Sequence, residues 1–574
     1  MRDNKEFKKQ VFTFVGIIFA FFVVVVIAIS LMKGNNERRN NLLNSFDPNT
    51  VNSIDTIEEA LNMITVNTST PRKASVELGN TSLADELPEI EKYPLTVEGN
   101  GQVNIEIFAT SEKSGSNKDG WLNEMAEEFN NTGSTLADGR TVSVSIRPMA
   151  SGLGSDYIVS KKYLPDAYTP SNSLFGKLTI AQGGELTTQT DRLVGNVAGM
   201  LLSKNTATEI KNTYKEVTVK TVTQATAENK IIMGYTNPLS SATGLNFLMS
   251  TLSAYDSSNI SSDTAKNGFT AFQQNVPYVA YTTLQMRESA KSGSLTGMIM
   301  EYQSYINDPD LSKDYEFIPF GERHDNPLYA VGTLSKDKQV ALDLFTNFCA
   351  SGESQALATE YGFNQQESYQ GDHINYTGAD IIQAQKLWKS NKDSGKDIIA
   401  VFVADCSGSM DGDPINQLRE SLINGSKYIN ETNYVGLVSY SSDVTIDLPI
   451  AKFDLNQRAY FKGAVEDLSA NGGTASYNAV IVGTNMLIEA KKNHPNAKVM
   501  LFLLSDGQSN DGLSLESITG ILKKEQIPIY TISYGSEADK DSMAALSNIN
   551  EAATINADSD DIVYKIKSLF NAQM

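Results

Sequence analysis

"VFVADCSGSMDGD", Val401–Asp413, decides how the last third of this 574-residue chain is read. An apolar run ends in Asp405. Ser407 and Ser409 follow at alternate positions, with Cys406 between them. Fully apolar runs suit strands of a sheet covered on both faces. "IIAVFVA" (398–404), "YVGLVSY" (434–440), "KVMLFLLS" (498–505) and "IPIYTISYG" (527–535) are of that kind. Helical patterns lie between and after them, at Pro414–Asn430, Gln457–Leu468, Ser476–Lys492, Leu515–Glu525 and Lys540–Ile549. Asp413 reads as a helix cap ahead of Pro414. Regular alternation predicts a doubly wound α/β domain over 397–574, and such folds bind ligands beyond the carboxyl ends of their strands.

Three polar loops fall at that end. The first is Asp405-Cys-Ser407-Gly-Ser409; the second, "NGGTASYNA" (471–479), carries Thr474. The third, "LLSDGQSN", places Asp506 directly after the most apolar strand. Two carboxylates and three hydroxyls form an all-oxygen set suited to a hard divalent cation. Mg²⁺ fits best because it keeps waters and tolerates incomplete protein ligation; Mn²⁺ and Ca²⁺ are the alternatives. A lone Asp-x-Ser is more often a turn or a cap; three such loops in this order favour a metal site. A thiolate is a soft ligand for such a site, and alternation along an extended segment turns residue 406 away from 405, 407 and 409. Cys406 is therefore expected to be a small buried residue. Pairing with Cys349 requires a proximity that spacing does not reveal.

Asp405-x-Ser407-x-Ser409, Thr474 and Asp506 resemble the metal-ion-dependent adhesion site of von Willebrand factor type A domains, with every ligand position filled. By that resemblance Ser407, Ser409 and Thr474 bind the metal directly, and Asp405 and Asp506 act directly or through water. The resemblance implies ligand or protein binding rather than turnover, and the charge balance of the site leaves its open position to the Asp or Glu carboxylate of a protein or other acidic partner.

A second unit, 101–364, opens with the alternating strand "VNIEIF" and the helical "WLNEMAEEF", followed by the strand "TVSVSIRPM". The βαβ order points to a parallel sheet. "IEIFATSEKSG", "PDAYTPSN", "DRLVGNVAGMLLSK" and "TNPLSSATGLNFLMS" in succession resemble extracellular solute-binding proteins of the molybdate-binding type. The resemblance implies two α/β lobes around a cleft, with the chain crossing near Arg192–Val197 and again near Phe317–Gly321. Candidate cleft residues are Ser111, Glu112, Ser171, Asn172, Ser173, Ser240, Ser241, Thr243, Gly244 and Glu301. Two acids among them would repel an oxyanion, so oxyanion specificity is not carried over. A cationic or polar small solute and an empty cleft both remain open, as does a plain turn-and-cap role for the serines.

Val11–Met32 is 22 residues without a charge, about the length that spans a hydrocarbon core and longer than a signal-peptide core. It is expected to be an uncleaved transmembrane helix behind a cytoplasmic tail, 1–10. Arg2, Lys5, Lys8 and Lys9 before it, against Lys33, Arg38 and Arg39 after it, favour a cytoplasmic N-terminus with the bulk of the chain extracellular. Polar 33–100 reads as a stalk with a short amphipathic helix near Ser53–Ile64. Residues 365–396 read as a connector carrying one helix, with a capping box at Thr377-x-x-Asp380.

A net charge of −21 disfavours nucleic acid as a partner. Residues 397–574 hold 23 acids against 13 Lys/Arg, a net of −10, which favours cations. Two cysteines exclude a disulfide framework, and three histidines far apart in sequence argue against a His-based zinc site. Ser335-x-x-Lys338 lacks any Lys-Thr-Gly companion and reads as a helix start capped by Ser335. With no nucleophile elbow or Walker loop, no enzymatic activity is expected. Two readings result. One is a membrane-anchored bacterial surface protein that binds a partner through Mg²⁺; the other is solute capture or sensing by the two-lobed unit, with the last domain as its docking module.

Overall fold

The computed structural model describes residues 53–76, 82–290, 295–372, 375–392, 396–506, 509–534, 539–549 and 554–557. The apolar segment Val11–Met32 lies outside them. Among the described residues no helix is long and apolar enough to cross a membrane.

The last domain is a seven-stranded sheet. Its order is Val66–Thr68, Val444–Lys452, Tyr434–Tyr440, Ile398–Asp405, Lys498–Ser505, Ile529–Tyr534, Thr554–Ala557. Every pairing is parallel except that of Tyr434–Tyr440 with Val444–Lys452, a hairpin partner that periodicity does not announce. The central strand Ile398–Asp405 is buried throughout. Its even-numbered residues face a core with Met410, Leu418 and Phe461, and its odd-numbered residues face another with Ile481, Ile518 and Leu522. Alternate side chains of a strand point to opposite faces, so one apolar run anchors both layers. Phe402 stacks on Phe502 across the sheet at 5.0 Å. The five expected helices form at Asp413–Ser426, Leu455–Asp467, Ser476–Asn493, Leu515–Glu525 and Lys540–Asn548. Asp413 is the first helical residue rather than the cap; Gly412, at φ +89°, precedes it.

The stalk expected over 33–100 is corrected in its described parts. Ser53–Asn62 is helical as expected, but Ile57, Ala60 and Ile64 are buried in the core of the last domain. Val66–Thr68 then adds a parallel edge strand beside Val444–Ile446. Ala74 N–H donates to Ala459 O at 3.0 Å, and Arg72 reaches Glu466 and Asp467. Buried apolar side chains and unpaired strand N–H groups gain more by docking than by solvation. Residues 82–100 join the first lobe instead, with Leu87 and Ile90 buried and Val97 bridging Ile146. In chain order the two-lobed unit is thus inserted within the last domain.

The first lobe has a sheet ordered Val142–Pro148, Val103–Ala109, Ala167–Thr169, Leu328–Val331, Leu186–Thr190. The second is ordered Tyr315–Arg323, Val197–Ser203, Gly297–Glu301, Met233–Thr236, Tyr278–Ala280. The first crossing lies between Thr190 and Val197, as expected. The second falls after Arg323, later than Phe317–Gly321, because Tyr315–Arg323 still pairs with Val197–Ser203. The connector is also corrected. Its helix Gly378–Asn391 carries the expected capping box, but Ile381, Ala384 and Trp388 are buried in the second lobe. Trp388 Nε1 donates to Tyr235 Oη at 2.7 Å. Ser335 caps its helix as expected.

Candidate metal centre and interlobe cavity

Strands parallel to Ile398–Asp405 flank it on both sides. Its carboxyl end is therefore the point where strand order reverses, the usual ligand position in such sheets. Asp405 sits there, fully buried. Its Oδ1 accepts Ser407 N–H at 2.8 Å, and its Oδ2 accepts Tyr440 Oη at 3.0 Å and Ser505 Oγ at 2.5 Å. Ser407 Oγ lies 3.0 Å from Ser409 Oγ, which donates to Asp506 Oδ1 at 3.0 Å. The second loop is pinned to the first by Gly408 N–H to Gly472 O (3.1 Å) and Asn471 N–H to Cys406 O (2.8 Å). Buried Thr474 donates its N–H to Asn510 Oδ1 at 2.9 Å, which ties that loop to the third. Gly507 and Gln508 of the third loop lie outside the described residues. Partial burial and the nearby Asp405 carboxylate raise the pKa of Asp506 above its ordinary value.

The donors fit a hard cation. Adjacent oxygens around an octahedral ion at about 2.1 Å are roughly 3.0 Å apart, the spacing seen twice along Ser407, Ser409 and Asp506. The crowding of two carboxylates is what a bound cation would relieve. Cys406 packs in the core, its thiol pushed up to about 12 by burial and by Asp447 and Asp405. Cys349 is buried in the first lobe, and both cysteines are free. Asn510 and Ser442, which orient the second loop through Thr474 and Gly473, were not foreseen. Turn residues of that type carry no distinguishing spacing.

Between the lobes lies a cavity of about 20 Å³, lined by Thr110, Ser111, Glu112, Ala150, Ser151, Ser171, Ser240, Ser241, Ala242 and Thr282. Five expected cleft residues, Ser111, Glu112, Ser171, Ser240 and Ser241, are among them. Three others lie beside it in a buried network. Asn172 Nδ2 approaches His324 Nε2 at 3.0 Å, Thr243 Oγ1 donates to Glu301 Oε1 at 3.2 Å, and His324 Nδ1 contacts the same oxygen at 2.9 Å. Asn246 Nδ2 also faces His324 Nε2, at 3.1 Å. Backbone contacts to Leu174, Ala242 and Glu322 fix both amides. Nε2 must then accept, which leaves the proton on Nδ1 for Glu301. Burial works against the charge of Glu301, but His324, Lys113 and Thr243 hold its pKa below the ordinary value. Ser173 does not line the cavity and donates to Glu322 at 2.7 Å. Gly244, a buried residue in the first turn of Ala242–Tyr255, donates its N–H to the Ser241 cap and also stays out of the lining.

Lys113 is fully buried, donating to Thr110 Oγ1 (2.8 Å), Thr169 O and Asn326 Oδ1 (both 2.9 Å). Burial lowers its pKa to about 8, and burial with the Glu301 charge raises that of Glu112 to about 7. Gly152 N–H donates to Ser240 O across the lobes at 2.9 Å, and a Cβ at Gly152 would fall 2.0 Å from Leu239 O. Arg287 pairs with Asp119 at 2.8 Å at the same junction. His324 and Lys113 were missed because a lone His or Lys in a polar stretch has no partner in sequence.

Residues 400–571 match the family model of the von Willebrand factor type A domain, and residues 114–364 match that of the bacterial extracellular solute-binding protein. Inter-alpha-trypsin inhibitor heavy chain H3 of Bos taurus is 27% identical over 173 residues, 28% of this chain and 19% of the relative. The chain thus spans about a fifth of the length of that curated relative. The sulfate-binding protein SubI from Mycobacterium tuberculosis H37Rv is 17% identical, covering 46% of this chain and 88% of its own, with a TM-score of 0.34. A von Willebrand factor type A structure from Catenulispora acidiphila is 18% identical, covering 31% of this chain and 43% of its own, with a TM-score of 0.28.

Proposed function

We propose, for a chain that carries a von Willebrand factor type A domain together with a solute-binding-like unit, a membrane-anchored bacterial surface protein that grips an acidic side chain of a protein partner through a divalent cation. The observation that carries this reading is the 3.0 Å run from Ser407 through Ser409 to Asp506, above a buried Asp405 held by three donors. Asp405, Ser407, Ser409, Thr474 and Asp506 would hold the ion, Mg²⁺ first, with Mn²⁺ or Ca²⁺ as substitutes. When bound, the cation supplies a Lewis-acidic position for a partner's Asp or Glu carboxylate. Ser407 N–H, Tyr440 and Ser505 orient Asp405. Neutral hydroxyls leave two aspartates to balance a doubly charged ion, so it keeps its attraction for a third carboxylate. The role is binding rather than turnover, with the N-terminus cytoplasmic and the bulk of the chain outside the cell.

The experiment is partner capture from intact cells or extracts by the full chain in Mg²⁺ and in chelator, repeated with Asp506→Ala and Ser407→Ala. Capture in Mg²⁺ alone, lost in both variants, is expected; equal capture in all conditions would sink the mechanism. Protease accessibility on intact cells tests the orientation. The rival reading, solute capture by the two-lobed unit, is disfavoured by the size of its cavity, about 20 Å³, room for little more than a water.

A further inference from the structure

The match to the solute-binding family ends at residue 364, and the chain just beyond it fastens the two lobes to each other. Residues 364–372 lie along both crossings. At the first, Asn364 N–H donates to Gly195 O and Gly195 N–H to Asn364 Oδ1, both at 2.8 Å, and Arg192 pairs with Glu367 at 2.6 Å. At the second, Arg323 Nη1 donates to Gln366 O (2.9 Å) and Tyr369 O (2.7 Å). Tyr369 Oη and Asp372 N–H in turn donate to Gly321 O, each at 2.8 Å. Hinged domains open through φ/ψ changes in a few residues at such crossings. Here both crossings are tied to a third stretch of chain.

The helix Gly378–Asn391 then spans the lobes. Toward the second lobe, Gln385 Nε2 donates to Pro238 O at 2.9 Å and Trp388 bonds to Tyr235. Toward the first, it rests on Ser173–Ala181, a helix that stands in sequence between two strands of the first sheet. A Cβ at Gly378 would fall 2.4 Å from Ala181 Cβ and 2.7 Å from Lys177 O, so no side chain fits there. Ser173–Ala181 presses equally closely on the first lobe at Gly176, where a Cβ would fall 2.4 Å from Tyr329 Oη. Its Leu174, Phe175 and Leu178 nevertheless share one core with Leu245, Ile381 and Trp388. Parting the lobes would bare these side chains to water. Polar ties add to this: Ser173 Oγ donates to Glu322, and Gln303 Nε2 donates to Lys118 O at 2.7 Å, beside the Arg287–Asp119 pair.

We propose that residues 364–372 and the helix Gly378–Asn391 clamp the two lobes shut, so that the unit is a rigid arm rather than a hinged receptor. The clamp lies outside the family match, so the closed state is held by the chain itself and needs no solute between the lobes. This inference does not depend on the metal-site reading.

Interlobe distances in the full-length chain test it, measured by electron–electron double resonance without added solute. Spin labels go on cysteines placed at Glu128 of the first lobe and Lys266 of the second, both exposed; the native cysteines are buried. With the clamp intact, one distance population is expected. Arg323→Ala, which frees residues 366–369, and Gly378→Leu, which pushes the helix off Ser173–Ala181, should each add a population longer by more than about 2 Å. Arg140→Ala, which removes ion pairs within the first lobe alone, should add none. A longer population in the chain with its clamp intact would overturn the proposal, because the unit would then open unaided. A single unchanged distance in both clamp variants, folded by circular dichroism, would overturn it too. If one variant fails to fold, the other decides; if both fail, the intact chain alone decides, one population supporting the clamp and two refuting it.

Discussion

The candidate metal centre and the interlobe cavity are made of the same parts. Each lies beyond the carboxyl ends of strands, gathers serines and threonines, and has two carboxylates in it or beside it. They differ in where the carboxylates point. At the metal centre Asp405 is fixed from below, while Asp506 and Ser409 reach the surface, so the oxygens converge on a position open to another molecule. Beside the cavity Glu301 is consumed by internal partners, and Glu112 lines a space the size of a water. Equal inventories of oxygen can therefore make an outward-facing site or an internally satisfied joint, depending on whether the backbone leaves the donors a shared exposed focus.

That contrast is most easily broken at His324. His324→Ala leaves the buried Glu301 without a principal partner, and a loss of about 3–5 kcal/mol in chemical denaturation is expected. Asp506→Ala, on the partly exposed rim of the metal centre, should change stability by less than about 1 kcal/mol without cation while abolishing cation-dependent capture. Comparable stability losses in both would erase the distinction.

The next effect concerns the inserted architecture. Burial raises the pKa of Asp447 to about 6, against an ordinary 3.8, with Ser69 and Ser439 opposing. A folded-state pKa above the unfolded one means that this contribution is fully present below pH 3.8 and lost as pH rises through about 6. Roughly two units correspond to about 3 kcal/mol. Asp447→Asn should flatten the fall of stability between those pH values, as read by denaturation at a pH series.

Ser69→Pro removes the N–H donated to Ile446 O at 3.1 Å and the hydroxyl donated to Asp447 at 3.2 Å. It should cost about 1–2 kcal/mol and expose the edge strand to proteolysis. No gain in cleavage near residue 70 would argue that this strand is dispensable. Smallest of all, Arg72→Ala removes ion pairs made by a side chain that is 54% exposed, and the melting temperature should stay unchanged.

Much of the last domain was legible because its strands are nearly pure apolar runs. Tyr434–Tyr440 and Lys498–Ser505 begin and end where the pattern does. The candidate oxygen donors could be nominated because each stands in a loop that follows such a run or leads into a helix. Val444–Lys452 was not, since its partly exposed face mixes polar and apolar residues. The helix of Ser53–Asn62 was expected, but the docking of Ser53–Ala74 on the last domain was missed for a related reason. Its apolar residues are few and separated by Asn and Thr, a composition shared by stalks and by edge elements that borrow their core from elsewhere.

Sequence by itself determined the α/β layering of both units and the order of their apolar strands and helices, because period and turn chemistry are local properties, and it nominated five oxygen donors that the proposed cation binding puts to the test. Only the tertiary structure decided that Val66–Thr68 completes a sheet whose next strand begins at Val444, since hydrogen-bond pairing across hundreds of residues leaves no local trace. It also decided that Glu112 lines the interlobe cavity while Glu301 is spent on His324. Which carboxylate meets a ligand and which meets its own chain depends on the direction of each side chain in the folded packing, and composition does not encode direction.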